Sequence, residues 1–424
     1  MQITAGILII CGMLYMLAKR YETRMVLFGA GLLLACVAGN PAGALVEFSK
    51  SMKQSNIFEV IIASMGFAAV IKATECDKHL IAVFIKILKK MGPFLIVGVS
   101  LATTIVNISI PSAAGTSAAV GVIFIPLLIS AGVPAPIAAA SILAGLYGGN
   151  LNPGHVHPTI VAELAKSTPM IFVSTVAVPL IASVVASSIV LMLTSRWIKK
   201  QQKQNASIEK PYENEQGKLE NFKLNYLYAI LPLFPLIILF IGNTQMIPAF
   251  KMEVSHAMII GGMLTLLITR SNPQNVTKVF FKGMGDSFGE IFGLIVTANI
   301  FVAGLQALGL IKFLINYMTT SPAIAKAAAI LGPLGMAIIS GSGEAASIAF
   351  NKAVSVHAAQ FGMDVMHMGS LAVLSGGIGR SMSPVAGCVI ICAGIAKVNP
   401  LDVIKYNSLA MIAALSVAMT LLML

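Results

Sequence analysis

This sequence has little charge: Asp, Glu, Lys and Arg together make up 10% of it, while 57% is hydrophobic. Soluble domains carry about 25% charged residues, so a chain of 424 residues this apolar excludes a soluble globular fold. Acid is scarcer than base, with 16 Asp and Glu against 28 Lys and Arg and a formal net charge of +12. In a soluble protein that excess would suggest nucleic acid. Here the basic residues stand at the ends of apolar runs, where the orientation signals of membrane spans belong. The expected partner is the lipid bilayer, and no nucleic acid is expected. Cysteine is sparse: Cys11, Cys36, Cys76, Cys388 and Cys392 lie mostly within apolar runs at no metal-ligand spacing, which argues against a disulfide framework or a metal centre. A Ser-His-Asp arrangement, a His-Glu-x-x-His run and a phosphate loop are all missing, so the chain reads as a non-enzyme that needs no cofactor. The first apolar run, 3–18, lacks a basic leader and a clear cleavage site, and is expected to be a retained helix.

What the chain does have is a long stretch that occurs twice, 92–169 and 321–400. A shift of 228 residues places Ser112 on Ser340, Gly115 on Gly343, Leu146 on Leu374 and Gly148-Gly149 on Gly376-Gly377. A shift of 231 places Pro153 on Pro384, Lys166 on Lys397 and Pro169 on Pro400, and Phe280-Lys282-Met284 repeats Phe48-Lys50-Met52 at 232. A duplication of this kind must be read before any local motif, because each copy is half of one architecture.

Spanning helices need about 20 largely apolar residues. The expected fold is an all-α polytopic membrane protein, an inverted repeat of five transmembrane helices plus one re-entrant hairpin per half. The first repeat covers 1–196, with a scaffold at 1–91 and a hairpin and broken helix at 92–196. A cytoplasmic linker follows at 197–224, opened by the single tryptophan, Trp197, as an interfacial anchor. The second repeat covers 225–424, divided into 225–320 and 321–424. Five crossings per half invert the second half and put both termini outside. On that topology 20 of the 28 Lys and Arg fall on cytoplasmic segments, six on external ones, and two, Lys352 and Arg380, within the second hairpin and break.

Each half interrupts its apolar runs twice with small polar residues, at 109–117 and 148–154 and again at 340–344 and 377–387. Irregular backbone at membrane depth survives only where it lines a protein-buried or watery cavity. In inverted-repeat carriers such breaks converge near the midplane, where helix amino ends attract anions and freed carbonyls coordinate cations. Arg380 is the notable charge at that depth, a functional candidate by default, and its fork suits a carboxylate. The competing reading makes it a structural bridge to Glu344 or to a carbonyl. His155 and His157 invite a metal, but positions i and i+2 diverge on a helix and no Cys, Asp or Glu flanks them; polar lining or a titratable role is preferred. Glu59 and Glu290 match in the two halves and are expected at membrane interfaces.

The run Gly377-Ile378-Gly379-Arg380-Ser381-Met382-Ser383-Pro384-Val385-Ala386-Gly387, continued by Ala393-Gly394-Ile395-Ala396-Lys397-Val398-Asn399-Pro400, resembles the carboxy-terminal signature of the DcuC family of anaerobic four-carbon dicarboxylate carriers. Pro111-Ser112-Ala113-Ala114-Gly115-Thr116 and Asn152-Pro153 are similar to it as well. The resemblance implies the ion transporter superfamily: a scaffold, a moving transport domain in an elevator, substrate between the hairpin tips, and coupling to sodium ions or protons. On that pattern the substrate-binding set is Ser112, Thr116, Asn150, Ser340 and Ser342, joined by Arg380 and Ser381. The ion-coupling set is Asn107, Ser117, Gly149, Asn152, Glu344, Gly377 and Ser383, with no metal beyond sodium. The implied activity is secondary transport of succinate, fumarate or malate across a bacterial inner membrane; the alternatives are a carrier of a different carboxylate or amphoteric metabolite in the same superfamily and, less favoured, an anion channel. The remaining partners are a small carboxylate substrate and, as an open alternative, a second copy in a homodimer. Three positions depart from the family pattern: Glu344 stands where the carriers have an uncharged amide, and His155 and His157 where an aspartate is more usual.

Overall fold

Helix starts are written into the sequence as caps. The structure, a computed structural model, describes residues 2–19, 21–53, 55–204, 223–243, 250–319 and 322–423. Most of the expected linker, 205–222, and residues 244–249 of the expected external loop lie outside the described residues. The first half runs α1 (Gln2–Ala18), α2 (Thr23–Val37), α3 (Pro41–Ser51), α4 (Ser55–Ala73), α5 (Cys76–Leu88), α6 (Leu95–Ser109), α7 (Ala113–Ser130), α8 (Ala135–Leu143), α9 (Val156–Leu164) and α10 (Pro169–Gln204). The second runs α11 (Tyr226–Ile230), α12 (Phe234–Asn243), α13 (Val254–Thr269), α14 (Pro273–Ser287), α15 (Gly293–Ala307), α16 (Leu310–Met318), α17 (Pro322–Ser340), α18 (Gly343–Ala353), α19 (Val365–Ser381), α20 (Gly387–Ala396) and α21 (Pro400–Met423). No strand occurs among the described residues. Asn40 and Asn272 accept backbone N–H bonds at the starts of α3 and α14, and Pro41 and Pro273 fill first positions where a missing N–H is harmless. These two helices were not expected as separate elements.

Seven described helical stretches are long and apolar enough to cross a membrane. They include both arms of the first hairpin, Gly92–Ser109 and Ala113–Ser130. Others expected to cross, such as Thr23–Val37 and Val254–Thr269, are 10–17 residues long, short of the ~20 that an untilted span needs.

Packing links the halves crosswise. α4 lies against α13 and α14, while α15 lies against α2 and α3. α10 and α21, the last helix of each half, pack along one another. The largest buried cluster draws almost wholly on α6 to α10 and α17 to α21, with Val99, Phe124, Leu143, Phe172, Leu374 and Met411 inside it. Phe67, Ile71, Leu239 and Met258 form a second core among α4, α12 and α13. A third buried layer, of Leu27, Ile61, Val156, Ile160, Ile295 and Ile348, mixes helices of both sets. Lipid gives no hydrophobic drive between helices, so such contacts hold through close packing and interhelical hydrogen bonds. Two examples are the bond from Ser100 Oγ to the Ser141 carbonyl and that from Asn299 Nδ2 to Ser51 Oγ, both 2.9 Å.

The second break begins later than expected. The first half interrupts its helix after Leu143, turns through Gly148–Leu151 and restarts at Val156, whereas α19 continues through Gly376, Gly377 and Arg380 to Ser381. Arg380 therefore stands in the last turn of a helix and not in a break. Asn407 supplies a reason: its Nδ2 donates to the Ser381 carbonyl at 2.6 Å and satisfies a helix end.

Candidate functional site

Both hairpin tips are closed by a serine. Ser112 Oγ accepts from Gly115 N at 3.2 Å and opens α7; Ser342 Oγ accepts from Ala345 N at 3.1 Å and opens α18. Ahead of Ser342 the chain turns at Gly341 with φ +73°, a conformation glycine adopts without steric penalty. α18 then crosses α19 so closely that a Cβ on Gly343 would lie 2.6 Å from the Gly376 carbonyl oxygen. That approach brings Glu344, in the first turn of α18, against Arg380.

The two form an ion pair through Nη1 and Oε1. Arg380 Nη2 donates to the Leu146 carbonyl at 3.1 Å, in the first break, and its buried Nε has no partner among the described residues. The guanidinium thus ties the second hairpin, α19 and the first break together at one point. It is 7% exposed.

A cavity of about 290 Å³ opens beside this pair. Four helices present their amino ends to it: α7 at Ser112 to Ala114, α9 at His155 and Val156, α18 at Ser342 and Glu344, and α20 at Gly387 and Cys388. Each such end carries roughly half a positive charge from its unpaired N–H groups, an arrangement that would favour an anion. Glu290 also lines the cavity, from the π turn Phe288–Phe292 between α14 and α15.

Behind Arg380 lies a much smaller void, about 10 Å³, lined by Asn107, Gly149, Asn150, His155, His157 and Gly377 among others. That is about the room one water needs. Asn107 shapes it by accepting from Gly149 N at 2.6 Å and donating to Thr116 Oγ1 and to the Ile110 carbonyl at 3.1 Å. His157 Nδ1 lies 2.9 Å from Asn150 Oδ1, and the rings of His155 and His157 are 5.0 Å apart.

Of the expected substrate residues, the structure brings Ser112, Ser342 and Arg380 to the larger cavity and Asn150 to the smaller. Three do not reach either lining. Thr116 Oγ1 donates to the Ile110 carbonyl at 2.9 Å; Ser340 Oγ accepts from Ser342 N at 3.2 Å; Ser381 Oγ donates to the Leu143 and Gly377 carbonyls, each at 3.4 Å. Among the expected ion-coupling residues, Asn107, Gly149, Glu344 and Gly377 line the smaller void. Ser117 instead bonds the Ala113 carbonyl at 2.7 Å, Asn152 the Ile108 carbonyl at 2.8 Å, and Ser383 accepts from Val385 N at 3.4 Å. Sequence reasoning underrated His155, which lines both cavities, and put Glu290 at an interface. Nothing in the sequence pointed to Cys388.

Glu59 lies elsewhere. Its Oε1 accepts from Ser255 Oγ at 2.6 Å, and with Glu253 it lines a separate cavity of about 710 Å³ between α4, α9, α10 and α13. Glu59, Glu253 and His256 bring ligand atoms within 4.8 Å of one another, all three residues exposed.

Comparison with known proteins agrees with a carrier. A solved Alcanivorax borkumensis transporter, YdaH, described as having an unusual topology, superposes with a TM-score of 0.60 at 14% identity, covering 89% of this chain and 86% of that one. An uncharacterized transporter of Haemophilus influenzae is 36% identical over 272 residues, 62% of this chain and 96% of the relative. The anaerobic C4-dicarboxylate transporter DcuC of Escherichia coli is 24% identical over 444 residues, 98% of this chain and 94% of the relative. The family described as C4-dicarboxylate anaerobic carrier matches residues 1–424, and the chain, a membrane transporter and not an enzyme, belongs to it: the DcuC family.

Proposed function

We propose that the chain is a secondary active carrier of small carboxylates, with four-carbon dicarboxylates as the leading class, in a bacterial inner membrane. The observation that carries this reading is the cavity of about 290 Å³ lined by residues at the amino ends of four helices together with Arg380 and Glu344. Drug-sized ligands occupy about 300–1,000 Å³, so the volume suits a small metabolite. The charge on offer suits an anion, and the name of the Escherichia coli relative supplies the dicarboxylate. Counterflow of labelled succinate in proteoliposomes should saturate with concentration and accelerate when unlabelled succinate is inside. Flux that grows linearly with concentration and shows no counterflow would make the protein a channel.

The mechanism in this reading is an elevator on an inverted repeat. The hairpins and broken helices, 92–196 and 321–424, form the moving body, and 1–91 with 225–320 the scaffold. In support, the large core is drawn almost wholly from the first set, while the layer at Ile61, Val156, Ile295 and Ile348 mixes the two. The sequence shift of 232 also sends α3 onto α14, with the same Asn-Pro start. Both termini and the 243–252 loop are then periplasmic and 197–223 cytoplasmic, with a proton or sodium ion as the coupling ion. Arg196→Cys and Lys251→Cys in a cysteine-free background should react with an impermeant maleimide from the inside only and the outside only, respectively. Ala114→Cys, at the cavity, should be reachable from either face but not from both in one conformation. Labelling of Arg196→Cys and Lys251→Cys from the same face would overturn the inversion.

A further inference from the structure

The cavity contains a fixed carboxylate that a carrier of plain dianions does not need. Glu344 sits in the first turn of α18 and faces the open side: its side chain is 30% exposed against 9% for that of Arg380, its partner. The cation is recessed and the anion is presented. A second carboxylate, Glu290, lines the same wall from the π turn. The other titratable groups that line the space are His155, from the start of α9, and Cys388, from the start of α20. With the imidazole and thiol neutral, the side chains facing the cavity sum to one excess negative charge.

Resting on the carboxylate-carrier reading above, we propose that the substrate carries an ammonium as well as a carboxylate: an amino-substituted carboxylate whose carboxylate takes Arg380 and whose ammonium takes Glu344. The exchange is balanced. Before binding, Arg380 and Glu344 satisfy one another; afterwards each holds the opposite end of one zwitterion, and two ion pairs replace one without adding charge to a buried site. An unsubstituted dianion would separate the pair and leave Glu344 without a cation beside two further negative charges. Like charges confined to one site oppose binding unless one of them takes a proton. The helix amino ends remain available for a second carboxylate, so amino-dicarboxylates fit as well as amino-monocarboxylates. What the geometry selects is the ammonium.

Two ligand pairs isolate that group: succinate against L-aspartate, and propionate against β-alanine. Calorimetric titration of the purified full-length carrier in nanodiscs, above neutral pH, should give the amino member of each pair the higher affinity. The difference expected for one charge-assisted hydrogen bond is roughly tenfold or more. Glu344→Gln should remove the preference in both pairs and bring succinate level with or above L-aspartate. Equal affinity within each pair in the parent protein overturns the proposal, with no variant needed. A preference that survives in Glu344→Gln overturns it too. A parent protein that binds none of the four ligands refutes the carboxylate-carrier reading itself, whereas one that binds succinate as well as L-aspartate leaves that reading standing and removes only the ammonium.

Discussion

Arg380→Ala is expected to reduce carboxylate affinity by two to three orders of magnitude. Removing one partner of a buried ion pair costs about 3–5 kcal/mol, because the other charge is left uncompensated, and 1.4 kcal/mol is a factor of ten in affinity. The loss should exceed that of an ordinary cavity residue because Arg380 has three neighbours at stake. It holds Glu344 and donates to the Leu146 carbonyl at 3.1 Å, and on the proposed reading it would hold the substrate in the loaded carrier. Arg380→Lys separates these effects, since it keeps the charge but loses the planar fork. Affinity should fall less, and some uptake should survive. Radiolabelled succinate binding to the purified variants measures both. An unchanged dissociation constant in the alanine variant would reduce Arg380 to a bridge between α19 and the first break.

The second large effect concerns protons. When an unsubstituted dicarboxylate displaces Glu344 from Arg380, two or more negative groups share one pocket and one must be neutralised. The complex then binds more protons than the empty carrier, where Glu344 is ion-paired. By linkage, the affinity for succinate is then expected to rise as pH falls, by up to about tenfold per unit, with one proton taken up for each succinate bound. Glu344→Gln imitates the protonated form permanently. That variant should still exchange succinate, yet its net uptake should lose the response to an imposed pH gradient. Parental uptake that follows sodium alone, or a glutamine variant with the parental pH response, would remove Glu344 from coupling. An amino-substituted substrate brings its own positive charge, so its affinity should be nearly flat over the same range.

The all-helical membrane character, the transporter family and the helix starts at the two tips, Ser112 and Ser342, were legible in the sequence, because each is a one-dimensional signal. Apolar runs mark helices, small polar clusters mark their interruptions, and a lone arginine in such a context is costly. Less legible was which hydroxyl remains free. Ser117 and Thr116 sit side by side at a helix start, and both turn back to backbone carbonyls, a habit of Ser and Thr in helices that composition cannot foresee. The boundary of the second break was missed for a similar reason. Gly376 and Gly377 look like a break but permit a tight helix crossing, and the group that holds the end of α19, Asn407, lies 26 residues further on. Glu290 was placed by its match to Glu59, and the match misled, since only Glu290 lines the Arg380 cavity.

The four helix ends have a consequence for how such a carrier can change over time. Their N–H groups belong to the main chain, so no point substitution other than one to proline deletes them, and on the proposed reading a descendant that keeps the fold would inherit a seat for one carboxylate. On the same reading, the identity of the rest of the cargo would be left to a few side chains around that seat, Glu344 foremost. A single codon change from an amide to an acid there would alter the charge demanded of the cargo while leaving hairpins, cores and crossings undisturbed. Chains of this fold can therefore diverge in what they carry faster than in how they are built.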